Sequence, residues 1–294
     1  MLQVQQLESG NIQEKISSHT KVAYLGPRGT WSEIASECLA PGAIKVPGSS
    51  FAEVLEMAEN GRTDSCVLPV ENSVEGPVSS VIDLIVGSKI SITGEIMVSV
   101  RHMLLSNSEK IERIYSHPQA IAQCRNKITK LYPHARIYEA SSTSEMARKV
   151  KEEAGSAIIG SSQIAELYGL AVKASDICDY SRNLTRFVML SRGDKVSTGN
   201  DKTTITFVLK ENVAGSLVNA LLPFSTRNIN LSMVMSGPEK YNPGTYRFVM
   251  DVLGHSEDVS VKAALGELSG QCSSIRILGS YPRSSWDDAK EPQG

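Results

Sequence analysis

The sequence predicts an α/β fold class in two units, a two-lobed N-terminal unit followed by a smaller, ferredoxin-like unit of the order βαββαβ. Three observations predict this class. Short apolar runs alternate with amphipathic helical stretches from Val22 onward, which is typical of strand–helix units in a mainly parallel sheet. An extended stretch over residues 90–106 interrupts that alternation. A polar, glycine-containing segment over residues 191–202 then precedes a region with a different rhythm.

Several helices of the first unit have recognisable starts. Three starts have capping-box spacing, a hydroxyl residue with a glutamate three positions later: Thr30 with Glu33, Ser50 with Glu53, and Ser142 with Glu145. Pro77 is expected to open another helix, where its missing N–H costs nothing. Further helices are predicted from Pro118 and Ser162, and strands at residues 22–26, 66–70, 114–115, 135–138 and 157–159.

The extended stretch over residues 90–106 indicates two lobes that are joined by crossing strands. A ligand of such a protein is expected in the cleft between the lobes.

The second unit has two helices with one apolar stripe each. Their apolar residues recur at i, i+3, i+4 and i+7: Leu217, Ala220, Leu221 and Phe224 in the first, and Val261, Ala264, Leu265 and Leu268 in the second. Alternating residues predict a strand over 205–209, and further strands are predicted at 231–235, 246–252 and 274–278. This order is the ferredoxin-like plan.

Composition excludes several classes of protein. The formal net charge is -2 and no long basic run is present, which gives no electrostatic support for nucleic-acid binding. No stretch approaches the roughly 18 consecutive apolar residues of a membrane span. Residues 1–21 are polar and are expected to form a flexible extension, not a signal peptide.

Cysteine and histidine usage predicts a cytoplasmic protein with no metal. The five cysteines are scattered, with no CxxC pair, which is typical of reduced thiols. The five histidines show no HxxxH or HExxH spacing, so no zinc site is expected.

Two polar segments follow predicted strands of the first lobe. The run 26–30 (GPRGT) leads from a strand into a helix N-terminus, which is a potential anion site. Its simpler interpretation is a tight turn, because the ending of a nucleotide P-loop is missing. The run 71–76 (ENSVEG) places adjacent polar side chains where open α/β sheets bind ligands, although a loop rich in turn-forming residues has the same composition.

Two more segments stand out further along the chain. In the run 116–120 (SHPQA), His117 either caps a helix, the commoner outcome, or contacts a ligand. In the run 183–187 (NLTRF), polar groups lead into an apolar strand. Taken alone, Arg186 fits a surface ion pair better than a carboxylate clamp.

Together and in this order, these segments resemble the prephenate dehydratase family. The matching runs are 69–73 (PVENS), 116–119 (SHPQ) and 185–187 (TRF), and the resemblance extends from Val22 to the last strand. It implies decarboxylative dehydration of prephenate to phenylpyruvate in L-phenylalanine biosynthesis. No cofactor is implied, because aromatisation drives the reaction. The extension before Val22 is too short for a chorismate mutase domain, so a monofunctional lyase is expected.

The resemblance also implies an architecture. A catalytic domain at 22–194 would have two lobes like a periplasmic binding protein. After a linker at 195–202, an ACT regulatory domain at 203–283 would precede a tail at 284–294. Such proteins are typically homodimers or homotetramers, and an amino acid is a possible effector at the ACT domain.

Roles in the cleft follow from the same resemblance. Thr185 matches the essential threonine of the family, and we assign it to the departing ring hydroxyl. Glu71 is the expected proton source, provided that burial raises its pKa. Arg186 is expected to bind a substrate carboxylate through its planar fork. The expected donors to other substrate oxygens are Asn183, Asn72, Ser73 and Thr30.

The second unit departs from the family pattern at its effector pocket. Gly215, Leu217 and Asn230 match expected pocket residues. The family's Glu-Ser-Arg-Pro segment reads Met235-Ser236-Gly237-Pro238 here, so both charged members are missing. The sequence therefore predicts that inhibition by phenylalanine is weak or absent, or that another ligand is sensed. A domain kept only for dimerisation is equally compatible.

Three alternative functions are compatible with much of this pattern. An enzyme that prefers arogenate, with an amino group in place of the keto group, would keep all the motifs. A prephenate decarboxylase would be expected to lack the threonine motif, which is present at Thr185. A non-catalytic amino-acid receptor is the alternative of a different class, and the polar segments at Glu71 and Thr185 argue against it.

Overall fold

Fifteen strands and eight α-helices make up the parts of the chain that the computed structural model describes, residues 19–140, 143–193, 196–239 and 244–290. The strands are β1 (Lys21–Leu25), β2 (Ile44–Gly48), β3 (Ser65–Asn72), β4 (Gly76–Pro77), β5 (Ser91–Ser99), β6 (Met103–Leu105), β7 (Arg113–Ser116), β8 (Arg136–Glu139), β9 (Ser156–Gly160), β10 (Val172–Ala174), β11 (Leu184–Ser191), β12 (Asp201–Leu209), β13 (Leu231–Pro238), β14 (Tyr246–Leu253) and β15 (Cys272–Pro282). The helices are α1 (Trp31–Leu39), α2 (Phe51–Glu59), α3 (Ser79–Gly87), α4 (Pro118–Leu131), α5 (Thr143–Glu152), α6 (Ser162–Tyr168), α7 (Ser216–Ser225) and α8 (Val259–Gln271).

The first lobe contains a sheet in the order β2-β1-β3-β11-β5, with β4 paired to β3. Strands β1, β2 and β3 run parallel, whereas β11 is antiparallel to both β3 and β5. Helix α1 packs on one face of this sheet through Ile34 and Ala35, which lie in one core cluster with Phe187. Helices α2 and α3 cover the other face.

The second lobe contains a sheet in the order β10-β6-β9-β7-β8. Strands β7, β8 and β9 are parallel, and β6 is antiparallel to its neighbours β9 and β10. The prediction of a mainly parallel sheet is therefore corrected to two mixed sheets. The chain enters each lobe from the other on a strand that is antiparallel to its neighbours. The alternation of strands and helices in the sequence does not show the direction of such a strand.

Two crossing segments join the lobes, between β5 and β6 and between β10 and β11. They are hydrogen-bonded to each other, from Val100 N to Asn183 O at 2.7 Å and from Ile177 N to His102 O at 3.0 Å. Asp179 N also donates to Gln123 O of α4 at 2.7 Å. The Asp179 carboxylate accepts from two more backbone N–H groups of this helix. The second crossing segment is therefore fixed to the turn of α4 that carries Gln123.

The C-terminal unit has the predicted βαββαβ order, and its sheet order is β13-β14-β12-β15 with every pair antiparallel. Its core lies between the sheet and the two helices. The predicted stripe of α8 is buried at all four positions, and in α7 Ala220 and Phe224 are fully buried.

The open face of the C-terminal sheet packs against the first lobe. Val249, Leu278 and Tyr281 belong to one buried apolar cluster with residues of α2, α3 and β3. Backbone atoms meet closely as well, because a Cβ atom added to Gly279 would lie 2.1 Å from Ile92 O. The last described residues return to the first sheet, where Lys290 forms a parallel bridge with Val98 of β5.

Local signals in the sequence were right at some positions and wrong at others. Thr30 and Ser50 cap their helices as predicted. The predicted cap by Glu145 concerns side chains outside the described residues. Pro77 does not open a helix: it lies in β4 opposite Glu71, and α3 begins at Ser79. Strands β2 and β10 were not predicted.

Candidate active site

Neighbouring antiparallel strands bring the second and fourth polar segments together. In the pairing of β3 with β11, Thr185 lies opposite Asn72, and Arg186 lies opposite Glu71. Because successive side chains of a strand point to opposite faces, these two cross-strand pairs lie on opposite faces of the sheet. Only the first pair is on the side of the cleft residues described next.

Backbone hydrogen bonds fix the orientation of the Asn72 amide. Its Oδ1 atom accepts from the N–H groups of Val74 and Glu75 at 2.9 and 3.0 Å. Its Nδ2 atom therefore faces β11, where it donates to Thr185 Oγ1 at 2.9 Å and to Asn183 Oδ1 at 2.8 Å. All three of these side chains are buried.

The same donor direction continues into the second lobe. Asn183 Nδ2 donates to Gln123 Oε1 at 2.9 Å, and the His102 ring lies 3.1 Å from that same oxygen through Nε2. Gln123 Nε2 donates to Glu75 Oε1 at 2.5 Å. Gln119, one turn earlier on α4, also donates to the Glu75 carboxylate. Glu75 thus bridges the two lobes at an exposed position.

These hydrogen bonds determine which partners remain for the Thr185 hydroxyl. Its oxygen already accepts from Asn72, and its own proton has no acceptor among the described residues. The hydroxyl oxygen is therefore held by a buried amide, and its proton is not used within the described part of the chain. Preorganised donors of this kind stabilise charge that develops on an oxygen atom.

Arg186 is not a substrate clamp. Its Nε atom donates to Glu95 at 2.7 Å, and its two terminal nitrogens donate to Asp251 at 2.6 Å and to Tyr281 Oη at 2.9 Å. The side chain is 3% exposed. Both sequence interpretations, the clamp and the surface ion pair, are therefore wrong. Residue 186 alternates with Thr185 along β11, so it points toward the C-terminal unit.

Lys202 is a second cation in the cluster of charged side chains around Arg186. Glu95 and Asp251 are the buried carboxylates of this cluster. The Nζ atom of Lys202 lies 2.9 Å from Glu95. Burial alone lowers the pKa of Arg186, but Tyr281, Asp251 and Glu95 raise it well above its usual range, so the guanidinium stays charged. These residues form the ionic interface between the first lobe and the C-terminal unit.

Glu71 belongs to the face of this ionic interface. Its carboxylate lies 3.8 Å from Arg186 Nη1. Burial raises the pKa of Glu71, as the sequence argument required, and Arg186 partly offsets that rise. The position is nevertheless wrong for a proton source beside Thr185. Glu75 is the glutamate of this segment that is linked to the cleft.

Ser73 and Thr30 have structural partners. Ser73 Oγ accepts from Leu184 N at 2.9 Å, which secures β11 to the end of β3. Thr30 donates to Leu25 O at 3.0 Å while capping α1. Their roles as substrate donors remain predictions.

The turn at 26–30 mainly forms a contact between the two lobes, and its backbone donor is not open to an anion. Gly29 N donates to Glu33 Oε2 at 2.6 Å, so a side chain of the protein occupies this donor. Gly29 O accepts from Ser161 Oγ, at the start of α6, at 2.8 Å. A Cβ atom at Gly29 would lie 2.4 Å from Ile164. His117 caps α4, the commoner of its two predicted fates.

A pocket of about 360 Å³ lies along the crossing segments. Asn183 is in its wall, together with the cationic side chains of Arg101, Lys127 and Arg182 and with Trp286 from the C-terminal segment. Behind Gln123, three side chains of metal-ligand type also converge: His102, Cys124 and Cys178.

The three predicted effector residues lie around α7 and the start of β13. Gly215 is the N-cap of α7 with a φ of +89°, Leu217 is half-buried in the first turn, and the Asn230 carbonyl accepts from Leu253 N at 2.9 Å. Met235 is half-buried and packs against the cluster shared with the first lobe.

Sequence reasoning missed Gln123, Glu75 and His102. Gln119 belongs to the run 116–120, and Gln123 follows it at i+4 on the same face of the helix. That spacing was the available signal. His102 carried none, because its neighbours come from distant parts of the chain.

Comparison with known proteins gives a consistent result. The family model described as prephenate dehydratase matches residues 22–195. The chain is 35% identical over 271 residues to the prephenate dehydratase of Lactococcus lactis subsp. lactis, covering 89% of this chain and 97% of that protein. It is 37% identical over 293 residues to arogenate dehydratase 2 of Petunia hybrida, covering 91% and 73%.

A solved structure resembles the whole arrangement. The crystal structure of prephenate dehydratase from Arthrobacter aurescens in complex with L-Phe aligns with a TM-score of 0.82 and 35% identity, covering 92% of this chain and 91% of that one. Within the described ranges, no helix combines the length and the apolar character that a membrane crossing requires.

Proposed function

Because this chain belongs to the prephenate dehydratase family, we propose that it converts prephenate to phenylpyruvate, carbon dioxide and water in the cytoplasm. The observation that carries the proposal is the Thr185 hydroxyl, which accepts from Asn72 and keeps its proton for a ligand. A lyase that expels a ring hydroxyl needs such a donor beside the leaving oxygen.

The bond changes balance with one proton. The bond from the ring to the hydroxyl breaks, and the electrons of the bond to the departing carboxylate become part of the aromatic ring. One proton from the medium completes the water molecule. Thr185 stabilises the oxygen as it leaves, and this interaction is stronger in the transition state than in bound substrate.

We assign the remaining cleft residues to orientation. Asn72 holds the Thr185 oxygen, Asn183 and Gln123 extend the chain of donors, and Glu75 connects it to the cleft entrance. The amide groups of Gln119 and Gln123 both donate to the Glu75 carboxylate. Substrate that enters between the lobes has to displace this bridge or bind beside it.

Spectroscopic detection of phenylpyruvate from purified protein and prephenate tests the function, with arogenate assayed in parallel for phenylalanine. We expect turnover of prephenate by the wild-type chain and not by a Thr185→Ala sample prepared identically. The arogenate arm matters because a Petunia relative is named for that substrate. Turnover of arogenate alone would move the assignment to that substrate, and turnover of neither would contradict it.

For the C-terminal unit we propose an ACT domain at 203–283 that joins two chains. Among the described residues, strand β13 pairs only with β14. Four apolar residues of this unit, Val213, Val218, Leu222 and Val234, are 43–64% exposed. An unpaired edge with exposed apolar residues favours association with a second copy. Light scattering after size exclusion is expected to give a dimer or tetramer mass.

An amino-acid effector is the proposed ligand of that domain. The support is a neighbour of the same fold whose structure contains L-Phe. The charged residues expected for this pocket are missing at Met235 and Gly237, so we expect weak binding of phenylalanine.

A further inference from the structure

His102, Cys124 and Cys178 meet at the junction of the two lobes. His102 belongs to the first crossing segment, Cys124 to α4, and Cys178 to the second crossing segment. One ligand atom from each lies within 4.8 Å of the others, and all three residues are buried. The three positions are far apart along the chain and therefore form no zinc-type spacing in the sequence.

The histidine has an unused lone pair in this cluster. Gln123 directs its amide nitrogen at Glu75, so its oxygen has to accept from His102 Nε2. The proton of the ring is therefore on Nε2, and Nδ1 carries a lone pair. Nδ1 is buried, and no hydrogen-bond partner for it is found in the described parts of the chain. A buried acceptor without a partner is energetically unfavourable.

The two sulfur atoms are the other ligand atoms of this cluster. Cys178 Sγ donates to Val100 O at 3.6 Å, and each sulfur atom lies within 4.8 Å of the other and of a ring nitrogen of His102. Thiolate, not thiol, is the form of cysteine that binds metals.

We propose that His102 Nδ1, Cys124 Sγ and Cys178 Sγ bind one thiophilic metal ion, of the zinc or cadmium type. Two sulfur atoms and one imidazole nitrogen are a soft ligand set, which favours such ions over magnesium or calcium. Around zinc, bonds of about 2.0–2.3 Å place ligand atoms roughly 3.3–3.8 Å apart. Because a ring nitrogen of His102 and the two sulfur atoms already lie within 4.8 Å of one another, binding requires only a small further approach.

A bound ion would stabilise both the crossing segments between the lobes and the hydrogen bonds of the cleft. Its ligands come from both crossing segments and from α4, so an ion fixes the two lobes relative to each other. His102 keeps donating through Nε2 to Gln123, which is the usual outer-shell arrangement of a metal-bound histidine. A bound ion thus holds the acceptor oxygen to which Asn183 donates.

Binding of Zn²⁺ and Cd²⁺ to the full chain tests the proposal. Protein stripped with a chelator and kept reduced is dialysed against each ion alone, and bound metal is counted per chain. We expect one ion per chain, a thiolate-to-cadmium charge-transfer band, and a higher Tm. Cys178→Ala and Cys124→Ala should each abolish binding. Cys66→Ala, which removes a buried thiol in the first lobe, should retain it.

A second measurement uses only the wild-type chain, in case the alanine variants do not fold. Bound Cd²⁺ should protect two thiols from alkylation in partly opened protein, and peptide mapping should identify them as Cys124 and Cys178. Absence of stoichiometric binding, retained binding in Cys178→Ala, or protection of other cysteines would overturn the proposal.

Discussion

The proposed role of the Thr185 hydroxyl depends on the Asn72 amide beside it. Two backbone N–H groups that follow β3 orient the Asn72 amide. The backbone conformation after β3 therefore sets the direction of the hydrogen bonds that run from Asn72 to Glu75.

Replacement of Thr185 tests this role. Thr185→Ala removes one preorganised donor, so kcat should fall about 10²–10³-fold while the free energy of unfolding changes little. Thr93→Ala is the matched control, since Thr93 is also a buried strand threonine with side-chain hydrogen bonds. That variant should keep its kcat. A folded Thr185→Ala protein with normal kcat would refute the assignment.

Glu71 provides a second test at the level of single residues. Its carboxylate faces Arg186 and not the cleft, so Glu71→Gln should keep kcat within about tenfold, less than the effect of losing a general acid. Glu75→Gln serves as the comparison, and kcat/KM should fall more there. A thousandfold loss of kcat in Glu71→Gln alone would restore it as the proton source.

At the scale of elements, β11 decides which residues share a site. The family resemblance grouped Asn72, Asn183 and Thr185, and the structure places them together where β3 ends and β11 begins. The same grouping is wrong for Arg186 and Glu71. Each follows or precedes a cleft residue on its own strand, so its side chain points to the opposite face of the sheet. Motifs group residues by sequence position, whereas a strand sends successive side chains to opposite faces.

Other errors had a different origin, because they depend on contacts between distant elements. The direction of β11 is set by its return from the second lobe, and the burial of Arg186 by strands β12, β14 and β15. Neither leaves a local pattern. By contrast, the helix caps and the apolar stripe of α8 are local signals, and those predictions were confirmed.

Strand β13 gives the prediction for regulation. A carboxylate at position 235 would pair with the ammonium group of an amino acid, and Met235 cannot. A hydrogen bond to a charged group is worth about 1.5–3 kcal/mol, so affinity for phenylalanine should be roughly tenfold to a hundredfold lower than in relatives with the glutamate. Titration of activity with phenylalanine checks this. Strong inhibition at micromolar concentrations would contradict it.

At the scale of the whole molecule, the ionic interface around Arg186 connects the first lobe to the C-terminal unit. Removing one partner of a buried ion pair typically costs about 3–5 kcal/mol, so Arg186→Met should lower the free energy of unfolding by that amount in a urea titration. KM for prephenate should stay unchanged in the folded variant. The control is Lys262→Met, which breaks an exposed pair with Glu257 and should cost about 1 kcal/mol or less. An increase in KM without loss of stability would favour the clamp.

Truncation of the chain near Gly199 tests the same interface. The motif chemistry lies before that position, and from the sequence alone an active fragment is expected. The structure predicts the opposite, because the cut removes Tyr281 and Asp251 from Arg186 and exposes the apolar cluster that Leu278 covers. The fragment should aggregate or unfold at low urea concentration. A stable and active fragment would show that the interface is dispensable.

The position of Arg186 also limits how this protein can change by recombination. A regulatory domain exchanged at the linker would bring its own residues to the places of Asp251 and Tyr281. A mismatch there would leave the two terminal nitrogens of the buried Arg186 without these acceptors, one residue from Thr185. Functional chimeras are therefore expected only from donors that supply a carboxylate and a hydroxyl at those two strand positions. The two units follow each other along the chain, but each requires a matching partner surface on the other.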